Sequence, residues 1–239
     1  MMTSGDSLNA IRAALRESED TSDADFLRRY FKTAPGEYGE GDRFIGVRVP
    51  EVRRVARRFR NLSLSKTLVL LKSEIHEERF LALVILTEKF RRGAPDEQSE
   101  IYREYLNHTR FINNWDLVDA SADRIVGAYL RARSRRPLYG LARSELLWER
   151  RIAVMATFHF IKNGEFEETL KIAGMLLADR EDLIHKAVGW MLREVGKRDR
   201  DLEELFLRER YRRMPRTMLR YAIEKFPENL RQQYLRGAI

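Results

Sequence analysis

Trp115 and Asp119, four residues apart, are the pair in this 239-residue chain best spaced to do chemistry together. They lie in the run Asn113-Asn114-Trp115-Asp116-Leu117-Val118-Asp119-Ala120-Ser121-Ala122-Asp123. In a helix, positions i and i+4 share a face, so the pair would present an aromatic plane beside a carboxylate. A structural explanation stands beside this one. Asn113 or Asn114 makes a good N-cap, and Asp116 suits the positive end of a helix dipole.

Little else in the chain competes as a reactive group. Cysteine is absent, which excludes disulfides, thiol catalysis and Cys-ligated zinc. The four histidines, His76, His108, His159 and His185, lack metal-ligand spacing, and ordinary surface or capping roles are expected for them. No metal or other cofactor is expected. No serine sits in a nucleophile elbow, and no acid pair stands out as a glycosidase couple. The stretch from Pro35 to Gly41 looks superficially like a phosphate loop, but it lacks the Gly-Lys-Ser/Thr ending and carries Glu37 and Glu40. Residues 33–42 are therefore expected to form a flexible loop that could close over a groove.

Charge points to a class of partner. Lys and Arg number 45 against 37 Asp and Glu, a formal +8, and the pI is about 9.8. This balance favours a polyanion, with phosphate backbones first. A helical surface laced with Arg–Glu pairs accounts for the charge equally well. The basic segments 193–200 and 210–216 are ordinarily solvated faces that could extend a cationic groove. The strongest apolar run, Leu81 to Leu86, is far too short to span a bilayer, and Met1 to Asp6 lacks the features of a signal peptide. A cytoplasmic protein with no membrane partner is expected.

The elements that must position these residues have helical period almost throughout, punctuated by only 13 Gly and 6 Pro. Ordinary surface helices are expected after Asp6 or Ser7 and after Ser22, the second carrying Phe26, Leu27, Tyr30 and Phe31. Pro50 opens a third helix, and others follow in quick succession, one of them spanning 113–133. Three long helices share charged residues, an apolar residue and then a small one, ending at Ala82, Ala153 and Gly189. The first interval is 71 residues and the second 36, so a missing member falls near Val118. Such a period predicts stacked helix pairs of HEAT type. Numbered from the small residue, Trp115 is at −3, Asp119 at +1, Arg151 at −2, Lys186 at −3, Trp190 at +1 and Arg193 at +4. These offsets share one helical face, which a solenoid would make continuous. The alternative is a structural ladder in which Asp119 pairs with Arg151 and both tryptophans are core.

The motifs Trp115-Asp116-Leu117-Val118-Asp119, Leu147-Trp148-Glu149-Arg150-Arg151 and Lys186-Ala187-Val188-Gly189-Trp190-Met191-Leu192-Arg193-Glu194, in this order, resemble those of the AlkD-type DNA alkylation repair proteins. These are DNA glycosylases built of HEAT-like repeats. The likeness runs from about Tyr30 to the C-terminal helices. A single HEAT-like-repeat domain over residues 1–239 is expected, with residues 1–6 disordered. The fold expected is all-α, a right-handed superhelix of HEAT-like antiparallel helix pairs, or α-solenoid, with a concave basic groove.

The resemblance further implies hydrolysis of the N-glycosidic bond of cationic N3- or N7-alkylated purines in duplex DNA, without base flipping, by a monomer. A cationic base leaves without a general acid, so one carboxylate could suffice. Asp119 would stabilise charge on the deoxyribose and position water, Trp115 and Trp190 would pack against the lesion nucleotide, and Arg151 would hold a phosphate. Tyr30, Lys186, Arg193 and Arg150 are the further DNA-binding candidates. Asn114 stands where the best-studied members carry a second aromatic, and His159 where a lysine is expected, so part of the DNA-contacting surface differs. A silent HEAT-repeat scaffold that binds nucleic acid or protein is the alternative.

Overall fold

The computed structural model describes residues 4–239. The stretch 1–6, expected to be disordered, lies partly outside these residues, and its last three open the first helix. Helices make up most of the described chain, joined by short connections apart from the irregular segment 31–48, with one isolated bridge between Arg43 and Ile75. Contacts divide the chain into two compact units, Met1–Ser121 and Ala122–Ile239.

The first unit contains α1 (Ser4–Arg16), α2 (Thr21–Tyr30), α3 (Val49–Arg58), α4 (Leu64–Leu71), α5 (His76–Arg92), α6 (Pro95–Asn107) and α7 (Trp115–Asp119). Here α5 is central, packing on α3, α4, α6 and α7. Residues 76–83 of α5 are all buried, so the first half of this helix turns no face to water. Its row of neighbours, α3 beside α5 beside α7, recurs with α4 and α6 as partner helices, which is the arrangement of stacked pairs.

The second unit opens with a π-helical stretch, Asp123–Gly127, and continues through α8 (Ala128–Leu130), α9 (Arg136–Ala142), α10 (Leu147–Lys162), α11 (Glu167–Met175), α12 (Asp182–Gly196), α13 (Arg200–Arg210), α14 (Arg216–Ala222) and α15 (Glu228–Arg236). The π stretch, α10, α12 and α14 contact one another in succession. Partner helices α9 and α11 pack on α10, and α11 and α13 on α12. The helical-repeat expectation thus holds in each unit.

The helix expected over 113–133 is broken. Ser121 Oγ donates to the carbonyl of Leu117 (2.6 Å) and lies 2.9 Å from the hydroxyl of the buried Tyr105. Back-bonding of this kind bends helices. Just beyond, the chain runs so close to α10 that a Cβ on Gly127 would stand 2.2 Å from the carbonyl oxygen of Ala156. The wider π turn follows this close contact.

Candidate active site

A helix of five residues cannot hold itself together in water, so α7 depends on what grips its start. Asn114 is its N-cap, as the sequence allowed, with Oδ1 accepting the Trp115 N–H at 2.8 Å. The same fully buried side chain donates through Nδ2 to Asp42 Oδ2 (3.2 Å). Asp42 closes the glycine-rich segment 33–42 and is itself buried. Its other partners come from α5: His76 Nδ1 at 3.0 Å and Arg79 Nη2 at 2.5 Å. On the far side of the imidazole, His76 Nε2 is 2.8 Å from Asp116 Oδ2, in the first turn of α7. Arg79 also donates through Nη1 to the carbonyl of Ser73 (3.0 Å).

This cluster departs from the surface or capping role expected of His76, which is only 2% exposed. Burial alone pushes its pKa down, but the charge and hydrogen bond of Asp116, with the hydrogen bond to Asp42, carry it up to about 9 despite Arg79. Asp42 moves the opposite way. Burial raises its pKa, yet His76, Arg79 and Asn114 hold it below the usual carboxylate range. Two carboxylates, an imidazolium and a guanidinium make a neutral set, the condition under which buried charges are tolerated. The end of the 33–42 segment is thereby tied to the helices that carry the candidate site. Nearer its start, Gly39 N–H donates to the carbonyl of Lys32, and a Cβ there would stand 2.4 Å from the carbonyl oxygen of Phe31.

Above this base, the Trp115 ring stacks on Phe31 (centroids 5.1 Å apart, 26° between planes). Tyr30 meets it edge-on at 5.9 Å and is 54% exposed. Tyr30 and Trp115, both candidates on the family resemblance, are thus neighbours. Trp115 and Asp119 are the first and last residues of α7, both half-buried, one turn apart on the same face. The arrangement offers a solvent-reachable aromatic wall beside a carboxylate.

In the second unit, α10 carries Arg150 and Arg151, and α12 carries Lys186, Trp190 and Arg193. Arg151 is 5% exposed, and its Nη1 donates to the carbonyl of Leu183 on α12 (2.6 Å). Trp190 is half-buried, donates through Nε1 to Glu194 (3.3 Å) and lies 6.1 Å from the Phe158 ring. Lys186 pairs with Asp182 one turn away (2.7 Å), and Arg193 pairs with Glu224. Arg150 is engaged structurally: Nε meets the buried Asp179 at 2.7 Å, and Nη1 donates to the carbonyls of Ser144 and Glu145. The face predicted from the repeat register is not uniformly open, because Val154 and Thr157 occupy its +1 and +4 positions on α10 and are buried.

Among the described residues, no group of three or more His, Cys, Asp or Glu could hold a metal ion, and no helix is long and apolar enough to cross a membrane. A model of the DNA alkylation repair enzyme family matches residues 11–226. The chain belongs to that family. A protein from Enterococcus faecalis, described as a predicted DNA alkylation repair enzyme, has a solved structure similar to this family member, with a TM-score of 0.68 at 17% identity over 88% of this chain and 98% of that one. The protein smu.31 from Streptococcus mutans UA159 is similar at a TM-score of 0.52 and 16% identity, over 92% of this chain and 98% of that one. At such identities the likeness establishes the fold. Among curated proteins, none matches significantly.

What sequence reading missed in this family member is the buried base of the site, Asp42, His76 and Arg79. The run His76-Glu77-Glu78-Arg79 has the composition of a solvated helix start, yet all four residues are at most 3% exposed. Glu77 carries the reason one step further, accepting the N–H groups of Ile45 and Gly46 at 3.1 and 2.9 Å. The only sequence signal was the coincidence of ionisable residues with the apolar period of α5.

Proposed function

We propose that the protein is a DNA glycosylase that removes cationic N3- or N7-alkylated purines from duplex DNA, with Asp119 as the catalytic carboxylate. The observation that carries this reading is the half-open Trp115–Asp119 turn, anchored by a buried charge cluster in a member of a DNA alkylation repair family. In the proposed reaction the C1′–N bond breaks and its electron pair leaves with the base, which becomes neutral. Water adds to C1′ and gives up a proton. Positive charge develops on the deoxyribose as the bond lengthens, and a carboxylate held beside it lowers that barrier. Because the base departs as a good leaving group, no second carboxyl is required to protonate it.

Trp115, with Tyr30 at its edge, would pack against the sugar and backbone of the lesion nucleotide, an approach that does not require the base to be flipped out. Trp190, Arg151, Lys186 and Arg193 are assigned to DNA contact. The protein is read as acting as a monomer on the duplex.

One observation favours the scaffold alternative. Arg151 is nearly buried with its guanidinium on a backbone carbonyl, as a structural tie would be. Base release from duplex DNA carrying 7-methylguanine distinguishes the two. The wild type is expected to release the base, and Asp119→Asn to fold, bind the same duplex and release none. Absence of release by the wild type refutes the enzyme reading.

A further inference from the structure

We infer that α3 is a second, phosphate-binding element of this protein, engaging a duplex backbone through Arg53, Arg57 and Arg60; this rests on the DNA reading above and adds a site to it. The sequence Val49-Pro-Glu-Val-Arg-Arg-Val-Ala-Arg-Arg-Phe-Arg60 concentrates five arginines in a single helix and its end. Val52, Val55 and Ala56 are buried, and all five arginines are exposed. Arg54 is paired with Glu51, and the Arg58 guanidinium lies 5.2 Å from the centroid of the Phe59 ring. Arg53, Arg57 and Arg60 make no hydrogen bond or ion pair within the described chain, with Glu88 a longer-range neighbour of Arg60. Elsewhere on the surface, arginines are commonly tied to a carboxylate one turn away, as in Arg91–Glu88 and Arg200–Glu204. Single arginines such as Arg29, Arg180 and Arg220 are also open, and what sets this segment apart is three such cations within eight residues.

The spacing suits a nucleic acid strand. Arg53 and Arg57 share a helical face one turn apart, Arg60 follows two residues past the helix end, and the three span roughly 10 Å at about 1.5 Å per residue. That is about three base pairs of axial rise of a duplex.

The repeat register says which face this is. Ala56 is the small buried residue of α3, preceded by an apolar one, as Ala82 and Val118 are in α5 and α7. Numbered from Ala56, Arg53 is at −3, Arg57 at +1 and Arg60 at +4. In α7 the −3 and +1 positions are Trp115 and Asp119, so the stripe faces the same way as the candidate site. Between them, the corresponding positions of α5, Arg79, Phe80, Leu83 and Leu86, are buried. The stripe is thus a separate patch, with α5 standing between α3 and α7. At 8–10 Å between neighbouring helix axes, it lies roughly 16–20 Å from α7, or about five to six base pairs of rise.

The test is the salt dependence of binding of the full-length protein to an undamaged duplex, followed by fluorescence anisotropy over roughly 50–200 mM salt. Each phosphate contact contributes about 0.9 to the slope of log affinity against log salt. R53Q/R57Q/R60Q is therefore expected to bind with a slope shallower than the wild type by about two to three. R103Q/R143Q/R208Q removes the same charge from α6, from the end of α9 and from α13, and is expected to change the slope by less than about one. Circular dichroism checks that both variants fold. A wild-type slope retained by the α3 variant overturns the assignment while leaving the DNA reading in place. Equal losses in the two variants also overturn it, since net charge would then suffice. A wild type that does not bind duplex refutes both readings.

Discussion

His76 Nε2 lies 2.8 Å from Asp116 Oδ2, so that an imidazole on α5 grips the first turn of the helix carrying Trp115 and Asp119. Its other nitrogen is held by Asp42, whose second oxygen takes Arg79. Glu77 and Asn114 complete the ionisable and polar groups around it. The charges of Asp42, His76, Arg79 and Asp116 cancel only while the imidazole is protonated, and its deprotonation would add one uncompensated negative charge to the interior.

That dependence fixes the sign of a pH effect. The folded pKa of about 9 lies above the ordinary 6.5, so the contribution is complete below about pH 6.5 and is lost as pH rises through 9. The full difference is on the order of 3 kcal/mol. Thermal unfolding of the wild type should show Tm falling steadily between about pH 7 and 9.5. His76→Gln should unfold at lower temperature at pH 7 and show a flatter profile across that window. A wild-type Tm that is level there, or that rises, would mean that His76 is neutral in the fold.

The legible and illegible parts of the site divide along physical lines. The pairing of Trp115 with Asp119 on one turn could be read because helical spacing is a local property, and the N-cap role of Asn114 belongs to the same class. The pairing of His76 with Asp42 and Asp116 joins positions 34 and 40 residues apart, a separation that no local pattern encodes. Arg150 shows a second contact that local reading does not give. Its place among the DNA-binding candidates followed from motif resemblance, whereas its partner Asp179 is supplied by a turn 29 residues on. The break after Asp119 was hidden for a related reason: the apolar period continues through 120–130, and a contact with α10 decides the backbone at Gly127.

Another buried ionisable group gives a substitution of opposite effect, although its pH dependence runs the same way as that of His76. Glu203 on α13 is 1% exposed, its Oε1 has no hydrogen-bond partner, and its Oε2 would lie 1.6 Å from a Cβ on Gly196 of α12. Burial pushes its pKa up to about 9. Below about pH 4.5 both folded and unfolded forms are protonated and nothing is lost. Above it the unfolded chain gains by ionising while the folded one does not, so Glu203 destabilises the fold increasingly toward pH 9. Glu203→Gln should therefore raise stability by about 1–3 kcal/mol at neutral pH and by little near pH 4. Chemical denaturation at the two values checks this, and a variant less stable than wild type at pH 7 would show that the carboxylate is compensated.

The close packing behind Trp190 can be tested with glycines. A Cβ on Gly189 would stand 2.4 Å from the carbonyl oxygen of Met218 and 2.5 Å from Tyr221 Cβ, so α12 and α14 approach at a distance that only glycine permits. The first obstacle is backbone and cannot rotate away. Gly189→Ala must separate the two helices, and a cost of about 1–3 kcal/mol is expected, in the range of overpacked cores. Because Trp190 is the next residue, its ring should shift relative to Phe158, and tryptophan fluorescence of the folded variant should differ from that of the wild type. Gly140 on α9 is the contrasting case, helical and with nothing within 4 Å of an added Cβ. There Gly140→Ala should stabilise by about 0.5–1 kcal/mol, since alanine has less backbone freedom to lose on folding. If denaturant unfolding gave the two substitutions the same sign, helix propensity alone would govern both positions, and the close approach of α12 to α14 would not be the constraint that fixes residue 189.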